Sequence, residues 1–404
     1  MHIIDKTKPT FISLFCGCGG FDLGFIQAGF ECIAAFDIDP LAVDVHNKNL
    51  TSKVIVHDLS IGCDTYGPFN NVDVIIAGPP CQGFSTAGKR NIDDPRNHLL
   101  VAAGIRAIKL KPKVFIAENV RGVVSGAHKK YWRSLEELLK EAGYDVVECL
   151  IDVSKLGLPQ SRKRMVMIAW NTRSNFSIPL CAETPRSLKD VISGINKAAN
   201  HNINLLDEKN EASKIAKHIR PSQKLCDVRG GPRSVHTWNI PEVFGHTTEI
   251  ERTILEIVLK LRRQIRLRNF GDADPVTEQD ITQVLGQRSH QVLSDLIKKG
   301  FIRKIGERYD LVHAFNGKYR RLSWDKPSPT VDTRFIEPRY FLHPDENRGF
   351  TVREAARIQG FPDSFIFSGT EKEQCRLIGN AVPPPLGKWL GDIIMEGIIN
   401  EGKL

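Results

Sequence analysis

The chain has 404 residues, 41% hydrophobic and 25% charged, with a formal net charge of +9. That size and composition describe a globular protein of two or three domains, and the basic balance is compatible with a polyanionic partner. No run of about 18 apolar residues exists, which excludes a membrane-spanning helix. Met1 to Lys6 has no apolar core after its charges, so no signal peptide is expected. The nine cysteines are scattered and form no Cys-x-x-Cys pair. Neither a metal site nor a disulfide framework is expected, and a reducing cytoplasm fits.

The first 170 residues alternate short apolar runs with amphipathic stretches. Strands are predicted at Phe11–Phe15, Glu31–Asp37, Val54–Val56, Val72–Ala77, Val114–Ala117, Asp145–Leu150 and Met165–Trp170. Helices are predicted at Phe21–Ala28, Leu41–Asn49, Leu99–Ile108 and Trp132–Glu141. This alternation predicts an α/β domain on a mostly parallel sheet, with ligands bound outside the carboxyl ends of the strands. Residues 171 to about 245 show little periodicity. A helical block follows: Glu249–Arg263, with Ile250, Ile254, Ile257, Val258 and Leu261 on one face, then Thr277–Leu285 and Ser289–Lys299. Thr277 and Ser289 are the expected N-caps. Two short strands, Phe301–Ile305 and Tyr309–Val312, flank a turn at Gly306. Three helices and a β-hairpin are the order of a winged helix over 249–312, a motif whose third helix and wing often touch nucleic acid; the alternative is a small helical insert that only packs. Charge leans to the first, since residues 251–330 carry 16 Lys+Arg against 10 Asp+Glu. Helices return at Thr351–Ile358 and Pro385–Ile399. The expected domains are therefore 1–170, 171–335, and 336–404 returning to the first.

Several motifs carry chemistry. Phe15-Cys16-Gly17-Cys18-Gly19-Gly20-Phe21 joins the first strand to the first helix, where glycines admit a ligand to the backbone and the helix start offers N–H donors. Asp37, in Phe36-Asp37-Ile38-Asp39, ends the second strand, where a carboxylate can accept both hydroxyls of a ribose. Asp58 follows the third strand, where it could accept from an adenine amino group. Gly78-Pro79-Pro80-Cys81-Gln82-Gly83-Phe84-Ser85 follows the fourth strand, and its two prolines stiffen the approach to Cys81. A cysteine so placed is a candidate nucleophile, acting as the thiolate. The polar stretch from Gly83 to Asn97, with Lys89, Arg90 and Arg96, reads as a lid. Glu118, in Glu118-Asn119-Val120, ends the fifth strand, where a buried carboxyl tends to keep its proton. In Gln160-Ser161-Arg162-Lys163-Arg164, alternation puts both arginines on one side.

These motifs, with Arg353–Pro362 and Gly379-Asn380-Ala381-Val382, resemble the DNA cytosine-5 methyltransferase family in order and spacing, over roughly 10–170 and 318–404. The resemblance implies a Rossmann-like S-adenosylmethionine-dependent methyltransferase sheet with a smaller target-recognition domain. It implies that Cys81 attacks carbon 6 of a flipped cytosine, Glu118 engages ring nitrogen 3, Arg164 holds the carbonyl oxygen, and Arg162 supports the site. Phe15, Gly17, Gly19, Gly20, Asp37, Ile38, Asp58, Pro79, Leu99, Asn380 and Val382 match the cofactor site, the cofactor being S-adenosyl-L-methionine. Where the family often has Glu, this chain has Asp37. The implied partner is double-stranded DNA, met as a monomer, and bacterial members often have a cognate restriction endonuclease. Residues 171–317 match no family pattern, so the target sequence is not legible. Two alternatives are a tRNA cytosine-5 methyltransferase and a DNA-binding regulator built on the winged-helix-like insert.

Overall fold

The structure, a computed structural model, describes residues 8–52, 54–60, 69, 71–80, 94–174, 176–268, 273–286 and 289–400. Cys81 and most of the expected lid, including Lys89 and Arg90, lie outside the described residues. Two compact units emerge: residues 1–201, 325–334 and 352–404 form one, and residues 202–324 and 335–351 the other. This division differs from boundaries at 170 and 335. Residues 171–201 and 325–334 stay with the sheet unit because they bond to it: Ser328 N–H donates to Pro159, and Leu188 N–H to Lys326.

The first unit is built on β1 (Thr10–Leu14), β2 (Glu31–Asp37), β3 (Val54–Val56), β4 (Val74–Ala77), β5 (Val114–Val120), β6 (Asp145–Asp152) and β7 (Lys163–Trp170). Their order in the sheet is β3-β2-β1-β4-β5-β7-β6. The pairs from β3 to β5 are parallel, and β7 runs antiparallel to both β5 and β6. The switch has a simple cause. Parallel neighbours need a long crossover, usually a helix, whereas only a short turn (Val153–Leu156) and a two-residue bridge separate β6 from β7.

Alternate residues of each strand serve opposite faces. Phe11, Val74, Ile76, Val114, Ile116, Val166 and Ile168 pack with Phe21 and Phe25 of α1 (Gly20–Gln27). Ile12, Leu14, Ile75, Ala77, Phe115 and Met167 pack with Leu100 and Ala103 of α3 (Leu99–Leu110) and with Trp132 and Leu135 of α4 (Lys129–Glu141). A sheet covered on both faces explains the unbroken apolar run of β4. Between β2 and β3 lies α2 (Pro40–Asn49), N-capped by Asp39, whose carboxylate accepts from Leu41 N–H.

The second unit contains α5 (Glu211–His218), the parallel pair β8 (Lys224–Cys226) and β9 (Ser234–Val235), and α6 (Glu249–Gln264). Then come β10 (Val276–Thr277), α7 (Glu278–Leu285), α8 (His290–Lys298), β11 (Ile302–Ile305) and β12 (Arg308–Leu311). The last three strands form an antiparallel sheet in the order β10-β12-β11. Thr277 caps α7 through a reciprocal pair with Asp280, whereas the Ser289 side chain makes no capping bond to α8. The buried face of α6 also differs from expectation. Leu255, Leu259 and Arg262 are buried with Ile254, Val258 and Leu261, while Ile250 and Ile257 are half-buried.

The chain then returns to the first unit through α9 (Val352–Gln359), α10 (Glu371–Asn380) and α11 (Pro384–Ile394). Leu386, Leu390 and Ile394 of α11 complete the α1 face of the sheet.

Candidate active site

At the carboxyl ends of the central strands the first unit encloses a cavity of about 490 Å³. Phe15, Gly17, Asp37, Ile38, Asp58, Pro79, Leu99, Asn380 and Val382 all line it, together with Glu118, Arg162 and Arg164. Segments far apart in sequence thus meet where an α/β sheet is expected to bind. Gly19 and Gly20 do not line it. They are needed for packing beneath it: a Cβ on Gly19 would sit 2.7 Å from the His46 ring, and one on Gly20 would sit 2.3 Å from the Val382 carbonyl oxygen.

The turn after β1 is held from below and from the side. Asp22 of α1 is fully buried and accepts from the Ser13 hydroxyl at 2.8 Å, while His46 Nε2 lies 3.1 Å from its other oxygen. Asp37 accepts from Gly17 N–H at 2.8 Å and from Asp39 N–H at 2.9 Å. Burial pushes the Asp37 carboxyl up, against those two donors. Phe15 adopts a left-handed φ of 57°, a conformation costing about 1–2 kcal/mol for a non-glycine residue. Strain of this kind gathers where a chain must present its backbone to a ligand. Ile38, in the same cavity wall, is 61% exposed, an uncovered apolar side chain. The Ser60 hydroxyl and N–H hold Asp58 below the ordinary carboxylate value.

The other end of the cavity is charged and buried. Glu118 follows the apolar part of β5, and Arg164 Nε lies 2.8 Å from Glu118 Oε1. Their side chains are 9% and 10% exposed. Burial raises the Glu118 carboxyl, opposed by Arg164 and Arg162. Arg162 is 2% exposed and donates to the carbonyls of Val331, Gly379 and Ala381, at 2.9 to 3.2 Å. It therefore fixes the segment that carries Asn380 and Val382.

Some supporting residues escaped the sequence reading. Asn119 donates from its amide to the Pro79 carbonyl at 3.2 Å, fixing the double-proline turn that leads into Cys81. Gln160, fully buried, donates to the Gln359 side chain and to Ile358 O and accepts from Val331 N–H. Arg376 bonds Asp39 at 2.7 Å at the cavity edge. Asn119 and Gln160 stood inside quoted motifs, so their positions were visible but their partners were not. Nothing in the sequence around Arg376 pointed to Asp39, 337 residues away.

Solved methyltransferases share this fold. Entamoeba histolytica methyltransferase EhMeth superposes with a TM-score of 0.55 at 17% identity, over 96% of this chain and 98% of that one. S. pombe Dnmt2 methyltransferase gives 0.54 at 16% identity, over 96% and 99%. The likeness establishes a shared α/β fold. The C-5 cytosine-specific DNA methylase family matches residues 9–396, and the chain belongs to that family. It is similar to Type II methyltransferase M.XorII of Xanthomonas oryzae pv. oryzae, 31% identical over 97% of this chain and 86% of the relative. Type II methyltransferase M.HgiCII of Herpetosiphon aurantiacus is 30% identical over 98% of both chains.

Proposed function

We propose that this DNA methyltransferase transfers a methyl group from S-adenosyl-L-methionine to carbon 5 of a cytosine flipped out of a specific duplex sequence. The observation that carries the reading is one cavity with two differing ends: a polar-and-apolar end at Asp37, Ile38 and Asp58, and a buried Glu118–Arg164 pair.

The residues at the first end fit a nucleoside cofactor. Asp37 offers a carboxylate for ribose hydroxyls, exposed Ile38 offers an apolar surface for a flat base, and Asp58 an acceptor for an amino group. When bound, S-adenosylmethionine supplies a methyl group made electrophilic by its sulfonium. The rest is done by this chain's side chains. The Cys81 thiolate adds to carbon 6 of the cytosine, forming a sulfur–carbon bond and making carbon 5 nucleophilic. Glu118, whose carboxyl burial raises against the pull of Arg164 and Arg162, donates a proton to ring nitrogen 3 as the addition sends charge there. Arg164 holds the base's carbonyl oxygen and orients Glu118. Once carbon 5 carries the methyl group, its proton leaves to water, the sulfur–carbon bond breaks to regenerate the thiolate, and nitrogen 3 returns its proton to Glu118. Extruding the base from the duplex is what lets the Cys81 thiolate reach carbon 6.

Target reading is assigned to the region 171–335, and catalysis to the segments on either side. The Type II relatives support a place in a restriction-modification system, with a cognate endonuclease as partner. No helix among the described residues is long and apolar enough to cross a membrane.

The test is Cys81→Ser. It should abolish labelled methyl transfer to duplex DNA while S-adenosylmethionine binding, followed by calorimetry, is retained. Full transfer by the variant would sink the mechanism. Bisulfite sequencing of DNA from cells expressing the chain would give the target.

A further inference from the structure

The second unit carries the helix–strand–helix–helix–strand–strand order of a winged helix, in which α8 and the β11–β12 hairpin are the elements expected to meet DNA. Their charges are largely matched internally. Lys298 pairs with Asp295, Lys299 with Glu251, Arg303 with Asp310 and Lys304 with Glu307, at 2.8 to 3.6 Å. A cation already facing a carboxylate gains less from a phosphate.

The opposite situation holds at the C-terminal end of α6. Lys260 and Arg263 are exposed, one helical turn apart, and among the described residues neither has an ion pair or a hydrogen bond. With Gly230, Leu259 and Gln264 they line a shallow concavity. The helix terminus favours cations there, but it does not account for the second segment. The exposed loop 229–233, Arg229-Gly230-Gly231-Pro232-Arg233, lies on the helix, a Cβ on Gly230 coming within 3.6 Å of Leu259. Its shape is fixed. Ser234 N–H donates to Gly231, Lys224 N–H to Arg233, and the Gln223 amide to Pro232. At its root Asp227 is fully buried and accepts from Thr237 N–H. Arg262, the buried neighbour of Arg263, donates to the Asp227 carbonyl and pairs with Asp310 of β12. Loop, helix and hairpin are therefore braced together within this unit.

We propose that the surface formed by Lys260, Arg263, Gln264 and the 229–233 loop is the duplex-DNA contact of the second unit, with Lys260 and Arg263 on backbone phosphates. The proposal rests on the DNA methyltransferase reading. Side chains three apart on a helix stand about 5–6 Å apart at their Cβ atoms, so two long cations there can take two phosphates of one strand. The preformed glycine loop beside them is slim enough to enter a groove.

The experiment compares three full-length proteins: wild type, K260E/R263E, and K298E/K304E as the control on α8 and the hairpin. Binding to labelled duplex containing the methylated sequence is measured by anisotropy between 50 and 200 mM salt, with thermal melting and S-adenosylmethionine affinity as checks on folding. Each lost phosphate contact lowers the salt slope by about 0.9. K260E/R263E should therefore lose close to 2 in slope, bind on the order of tenfold more weakly at 50 mM, and raise KM for DNA at unchanged kcat. K298E/K304E should keep the wild-type slope. A wild-type slope for K260E/R263E, or a slope loss confined to K298E/K304E, overturns the proposal. If wild type itself neither binds nor methylates duplex, the underlying reading fails instead.

Discussion

One residue set from each compact unit shows two ways in which charge is buried. In the first, Glu118, Arg162 and Arg164 are nearly inaccessible yet line a cavity. In the second, Arg321 is 5% exposed and donates to the carbonyls of Ala216, Ile219, His343 and Glu346 and to the Asn347 side chain. Arg262 and Asp310 pair in its interior at 2.6 Å. Burying a charge costs several kcal/mol unless it is matched. Where the match is a ring of four carbonyls from two segments, the charge organises the fold. Where it is an ionisable partner in a cavity wall, as Glu118 is for Arg164, the pair is available for chemistry. Arg162 stands between the two cases, since it lines the cavity and also clamps three carbonyls.

That contrast can be broken by substitution. Glu118→Gln should reduce kcat about 10²–10⁴-fold at an almost unchanged melting temperature, read by labelled methyl transfer. The pH dependence follows from its raised value. The wild-type rate should fall as pH rises through that value and the donor proton is lost, and the Gln variant should lack this limb. Stability has the same sign: with the folded value above the unfolded one, the contribution is greatest at low pH and declines as pH rises through the folded value. Arg321→Ala should do the reverse, costing on the order of 3–5 kcal/mol in urea unfolding while the folded fraction keeps its kcat. A rate defect at unchanged stability would remove the distinction. Ile38→Ala should weaken S-adenosylmethionine binding about tenfold in calorimetry without lowering the melting temperature, because the side chain is mostly exposed. Thr277→Ala should cost about 1 kcal/mol, seen in unfolding alone.

The same contrast explains what could be read beforehand. The strands and the helices of the first unit follow from periodicity, because a two-faced sheet imposes period 2 and continuous apolar runs. The site residues stood at strand ends in recognisable motifs. Partners across the chain were not visible: Asn119 to Pro79, Arg376 to Asp39, and Arg162 to Val331 are contacts of the folded chain with no local signature. In the second unit β8 and β9, three and two residues long, fall below what alternation can reveal. The burial of Arg262 on α6 has no local signal, because it depends on Asp310, 48 residues away.

One feature bears on how the protein is made. Arg376, Leu377, Gly379, Asn380, Ala381 and Val382 line the same cavity as Phe15 and Asp37, and Arg162 holds two of their carbonyls. During synthesis every other wall of that cavity leaves the ribosome before they do. A nascent or prematurely terminated chain therefore lacks a finished cavity even when Cys81 and Glu118 have already been synthesised. Only a chain completed beyond Val382 has every wall of that cavity.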